Sequence, residues 1–161
     1  MHRRATLILA LALIFLVTPA AFAQVSDEGT IKYRQKVMSG VGADMGAIGD
    51  ILKYGLPIEG GIAAHASLLA ERADLIAAAF ARDVSSGATD AKAEIWQKPD
   101  EFREKTAAMK TEAQKLAEIA KSGDAAAIGK QVKALGDSCG SCHESFRKPK
   151  EESYKRAGAG S

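Results

Sequence analysis

From Asp27 onward, apolar side chains recur at alternating intervals of three and four residues, the spacing that lays them along one face of a helix. The first such run, Asp27 to Tyr54, carries Ile31, Arg34, Met38, Val41, Met45, Ile48 and Leu52 on its seam. It stops at Gly55 with Pro57 just beyond, because Gly takes a left-handed cap conformation cheaply and Pro cannot continue the ladder. A second run, Ile58 to Val84, sets Ile58, Ile62, Ala66, Leu69, Ala73, Ile76 and Phe80 on one face and closes at Ser85-Ser86-Gly87. After a longer connection a third begins near Ile95 or Pro99, repeats Ile95, Phe102, Met109 and Leu116 every seven residues, and ends at Ser122-Gly123-Asp124. Asp124 is placed to cap a fourth run, in which Ile128, Val132, Leu135, Cys139, Cys142 and Phe146 continue the seam until Pro149. Strand-like alternation is absent. The pattern predicts an all-α protein, an antiparallel up-down-up-down four-helix bundle, with residues 150–161 left as a frayed polar tail.

Ahead of this pattern stands a different one. Residues 5–17 are uncharged and mostly apolar, follow His2, Arg3 and Arg4, and lead to Pro19 and the small-residue triplet Ala21-Phe22-Ala23. A membrane span needs about 20 apolar residues, so residues 1–23 are expected to be a secretory signal peptide and residues 24–161 the exported domain. Cleavage there removes Arg3 and Arg4 and leaves equal numbers of basic and acidic residues. A nucleic-acid partner therefore has no support from net charge. No second apolar run follows, so no membrane span is expected in the mature chain.

The chemistry concentrates in Cys139-Gly140-Ser141-Cys142-His143, which contains both cysteines of the chain. Two cysteines three apart with histidine next read as a c-type haem attachment site. On a helix, positions i and i+3 share a face, so each thiol can add to one vinyl group of the same porphyrin, and His143 is placed as a neutral imidazole for the iron. A thioredoxin-like pair calls for a βαβ pattern that is missing here. Zinc calls for four ligands, where the exported chain offers two Cys plus only His65 and His143. A disulfide between Cys139 and Cys142 would constrain little chain and leave His143 unexplained. One covalently bound haem c per chain is the expectation.

A haem site near the C-terminus of a four-helix chain resembles class II cytochrome c, the cytochrome c′ family, itself a familiar case of the up-down-up-down bundle. Three segments carry the similarity: Ile31 to Met38 (Ile-Lys-Tyr-Arg-Gln-Lys-Val-Met), Ala91 to Trp96 (Ala-Lys-Ala-Glu-Ile-Trp), and Cys139 to Arg147 (Cys-Gly-Ser-Cys-His-Glu-Ser-Phe-Arg). The resemblance implies that His143 is the proximal iron ligand and that Met38 faces the distal side of the haem. In the low-spin branch a methionine there is the second axial ligand; in the high-spin branch an apolar side chain covers a five-coordinate iron. A thioether favours ferrous iron and raises the potential, whereas a methionine on a helical stripe also serves as core filler. The expectation taken from this is a periplasmic electron carrier with His143 and Met38 on the iron and protein redox partners. The alternative is a five-coordinate protein that binds nitric oxide or carbon monoxide.

The resemblance also implies that Arg34 pairs with a haem propionate, against the plainer reading of a solvated surface arginine, and that Gln35 adds a hydrogen bond there. Arg147 either lowers the basicity of the proximal imidazole or complements the helix dipole. His65 reads as a packed or half-exposed histidine, and Trp96 and Phe102 as core. Gly40, Gly42, Gly46 and Gly49 crowd one helix at about 1 kcal/mol each relative to Ala. They suggest backbone held close to haem, a neighbouring helix or a second subunit, and are compatible with the homodimers that the family forms through its first two helices.

Overall fold

The structure, a computed structural model, describes residues 26–157. The expected signal peptide, residues 1–23, lies outside the described residues. Helix α1 spans Asp27–Tyr54. The Ser26 hydroxyl accepts the Gly29 N–H at 3.0 Å, Asp27 and Glu28 sit in the first turn, and Gly55 closes the helix at φ 58°, as the N-cap and C-cap preferences dictate. Helix α2 runs Gly61–Ala79. It stops short of the expected Val84 because the carbonyls of Ala79, Arg82 and Val84 turn onto the Arg34 guanidinium instead of continuing the helical ladder.

The third run divides into a short α3, Glu94–Gln97, and α4, Pro99–Ala120. The break falls on Lys98 (φ −127°, ψ 58°), the residue whose α conformation a following proline disfavours. Helix α5, Ala125–Phe146, starts where Asp124 accepts the N–H groups of Ala126 and Ala127. The expectation of a frayed end at residue 150 is corrected. Residues 150–152 form a 3₁₀ turn and Tyr154–Ala157 a last helical turn, α6, held by side-chain and backbone bonds to Asp90 that no local pattern announces. No described helix is long and apolar enough to cross a membrane.

Ile48, Leu69, Leu116 and Leu135, one from each long helix, are fully buried at the centre. Helix α1 packs on α2, α2 on α4 and α4 on α5, the pairing of a four-helix bundle. The fourth side stays open, for no Cα of α1 comes within 8 Å of a Cα of α5 among the described residues. Across the α5 end, the 90–92 segment pairs with 146–148. Lys92 donates its N–H to Phe146 at 3.0 Å and Lys148 to Asp90 at 2.8 Å.

One ion cluster crosses the α1–α2 interface. Asp44 is buried, with its carboxylate 2.9 Å from Nδ1 of His65 and 2.6 Å from Nε of Arg72. The Arg72 guanidinium lies where a side chain on residue 40 would point, so the absence of one at Gly40 leaves room for this neighbour. Burial pushes the Asp44 carboxyl up, but the bonds from His65 and Arg72 together outweigh it and hold it below its ordinary value. The stabilisation is therefore present above the unfolded carboxyl pKa of about 4 and is lost as pH falls through the lower folded value. Asp44→Ala is expected to cost about 2–3 kcal/mol at neutral pH, measured by denaturant unfolding. The gap to wild type should close on acidification, and a gap constant with pH would refute a charged role for Asp44.

Candidate haem site

The open side of the bundle is a cleft of about 690 Å³ between α1 and α5, within the range of small-molecule and cofactor sites. Cys139, Cys142 and His143 enter it from α5, and Met38, Gly42 and Met45 from α1. Both cysteines are half-buried free thiols on one helix face. Phe102 and Phe146 close the floor edge to face, with ring centroids 5.3 Å apart. Gly42 has nothing within 4 Å of the place a β-carbon would take, which keeps the α1 wall thin at that level.

Burial governs the electrostatics of all three α5 groups. It raises the Cys139 thiol and pushes Cys142 up to about 11. A redox-active dithiol needs the opposite shift, since the thiolate is the nucleophile. Held protonated, these thiols are poor groups for disulfide exchange. Burial also lowers the His143 pKa, with the Arg147 charge adding to it, so the imidazole is neutral at neutral pH and its lone pair is free for a metal. Lys105 donates to Ser141 Oγ at 2.7 Å and ties α4 to the cysteine turn. Among the described residues no group of three or more His, Cys, Asp or Glu side chains is assembled for a metal ion. The thiol pair, the neutral imidazole and an apolar cleft opposite them fit a covalently held haem.

The remaining predicted residues fall as follows. Met38 is half-buried, lines the cleft and packs against the core cluster. Arg34 does something other than the resemblance implies. Its guanidinium is buried, donates to the carbonyls of Ala79 (2.9 Å), Val84 (2.7 Å) and Arg82, and lies between the Phe80 and Trp96 rings. With three donors on backbone carbonyls, it clamps the end of α2 to α1 one turn before Met38, and neither a propionate pairing nor a solvated surface arginine describes it. Gln35 lines the cleft and donates to the Ala88 carbonyl at 2.8 Å. Trp96 donates its Nε1–H to the Phe80 carbonyl at 2.8 Å, Phe102 is core, and His65 is bound to Asp44 away from the cleft. Thr89, Asp90, Lys105, Tyr154 and Lys155 also line the cleft. Periodicity gave no signal for most of them, because Thr89 and Asp90 lie in an irregular segment and Tyr154 and Lys155 in a single helical turn too short to show a period.

The sequence profile of the family described as Cytochrome C′ matches residues 29–147. The chain belongs to the cytochrome c′ family. Cytochrome c′ of Pararhodospirillum photometricum is 37% identical over 123 residues, covering 76% of this chain and 98% of that one. The Rhodospirillum rubrum protein of the same name is 35% identical over 138 residues, covering 84% and 94%. Among solved structures, a nitric oxide complex of a variant of cytochrome c prime from Alcaligenes xylosoxidans superposes with a TM-score of 0.69 at 29% identity, covering 78% of this chain and 98% of that one. Members of this cytochrome c′ family carry covalently attached haem c, which agrees with the cleft and its two thiols.

Protein exported alongside a haem-attachment system should keep its haem through acid-acetone extraction. Changing Cys139 and Cys142 together to Ser is expected to abolish the covalent haem, read by haem staining of a denaturing gel. Extractable haem in the wild type would refute thioether attachment.

Proposed function

We propose that this cytochrome c′ is an exported, periplasmic haem protein that binds a diatomic gas. Cys139 and Cys142 hold the porphyrin, His143 takes the proximal position, and Met38 covers the opposite face as a packing group. Bound haem supplies an iron centre that takes up an electron or a small gas ligand. The observation that carries the reading is the α1 wall. Met38 stands in the cleft with Val41, Gly42 and Met45, an apolar surface with no second imidazole, and it already packs against the core. A side chain with packing partners on the protein side loses those contacts if it moves to bond a metal. The relatives named cytochrome c′ and the nitric oxide complex among the structural neighbours support the same reading.

The chain's own residues prepare this behaviour. The neutral His143 presents a lone pair, and the Arg147 charge beside it reduces its basicity. The Arg34 clamp fixes α1 against α2 one turn from Met38 and so sets the height of the distal wall. The second reading, an electron carrier with Met38 as sixth ligand, draws on one observation, a thioether lining the same cleft as His143. The proposal also includes self-association: Leu52, Leu56, Ile58, Leu68 and Leu75 are exposed on α1, α2 and their connection, an apolar surface fit for a second copy.

The ferric wild type is expected to be high spin near neutral pH. Met38→Ala should leave that spectrum largely unchanged and speed carbon monoxide association with the reduced protein several-fold, read by stopped-flow absorbance. A low-spin wild type with a sulfur-ligation band in the near infrared, turning high spin in Met38→Ala, would overturn the proposal in favour of the electron carrier. Export is checked separately by N-terminal sequencing of periplasmic protein, which is expected to begin at Gln24.

A further inference from the structure

The family match ends at Arg147, yet the chain beyond it is closely held. Lys148 donates its N–H to the Asp90 carbonyl at 2.8 Å and its Nζ to the Thr89 carbonyl at 3.2 Å. The 150–152 turn then reverses the chain. Ser153 Oγ and the Tyr154 N–H donate to the two oxygens of the Asp90 carboxylate, each at 3.0 Å. Nη2 of Arg147 stands 3.5 Å from the same carboxylate, whose side chain is only 12% exposed. One half-enclosed carboxylate in the cleft wall thus gathers donors from residues 147, 153 and 154. The consequence is positional. Tyr154 becomes half-buried, and Tyr154 and the exposed Lys155 arrive at the rim of the cleft. Tyr154 also reaches a neighbouring hollow formed with Ile31, Gln35 and Gly87, so the segment bridges from the end of α5 towards the start of α1.

We propose that residues 148–157 are a strap, pinned through Asp90, that places Lys155 at the cleft rim as a binding residue for a carboxylate of the cofactor. A haem carries two carboxylates, and a carboxylate at the edge of an apolar cleft is stabilised by a cation. Of the cations in the cleft wall, Arg34 is spent on backbone carbonyls, Lys105 on Ser141 and Arg147 on Asp90. Lys36 on α1 and Lys155 remain, and only Lys155 is delivered by an anchored segment that lies beyond the family match. The strap rests on haem occupying the cleft and is indifferent to whether Met38 bonds the iron.

The test uses holoprotein. A cation beside the haem favours the ferrous state, so Lys155→Glu is expected to shift the midpoint potential downward at low ionic strength, while Lys155→Arg retains the wild-type value. The shift should shrink in ~1 M salt, where the Debye length is about 3 Å. Asp90→Ala should raise the rate of tryptic cleavage within residues 150–156 several-fold. Ser153→Ala, which removes one anchor and leaves the cleft wall intact, should give a smaller rise in the same direction. Equal potentials for wild type and Lys155→Glu at low salt would overturn the carboxylate role, and equal cleavage rates in all three proteins would overturn the strap. A wild type with no covalent haem on a stained gel would overturn both, together with the reading on which they rest.

Discussion

The cleft is arranged around one local constraint, two thiols and an imidazole within five consecutive residues of α5. In the proposed function, thioethers at Cys139 and Cys142 would hold one edge of a rigid planar group, and His143 would supply a ligand to its iron. On that reading the group would occupy the cleft between α5 and α1. A four-helix bundle that closed all four sides would have no room for it. Here the α1–α2, α2–α4 and α4–α5 interfaces close while α1 and α5 stand apart. The closed interfaces carry the stability: Ile48, Leu69, Leu116 and Leu135 each bury a full side chain, worth roughly 1.5–3 kcal/mol apiece.

The same open side explains the electrostatics. Burial in the cleft disfavours the charged forms of the three α5 groups, raising both thiols and lowering the imidazole. One physical cause thus holds two different kinds of group in their neutral states, and for the imidazole that is the state that donates to a metal. Charge is kept in the walls instead. Arg34 is held between two aromatic rings and three carbonyls, Asp44 between His65 and Arg72, and Asp90 beneath Arg147 and the C-terminal segment. Each of these buried or half-enclosed charges joins segments far apart in sequence, and together they hold the loops and helix ends that frame the cleft.

Some of this was legible in the chain and some was not. Gly55 and Asp124 announced the end of α1 and the start of α5 because caps act within a few residues of themselves. Gly40 was noticed as unusual, but the group it makes room for, the Arg72 guanidinium, belongs to another helix. The end of α2 was misjudged because the competitor for its carbonyls is Arg34, 45 positions away from Ala79. The tail was misjudged for a similar reason: a polar segment without periodicity looks loose unless its anchor is visible, and Asp90 lies 63 positions before Ser153.

The sequence by itself determined the helical class, the number of long helices and the attachment chemistry, because amphipathic period, capping and the Cys-x-x-Cys-His spacing are all short-range properties of the chain. Tertiary structure alone decided that α1 and α5 stand apart, that Met38 shares a wall with Met45, that Arg34 turns to backbone carbonyls, and that the last residues return to the cleft rim. Those outcomes depend on which groups compete for the same donors, carbonyls and space once distant segments meet, and that competition has no signature in local sequence.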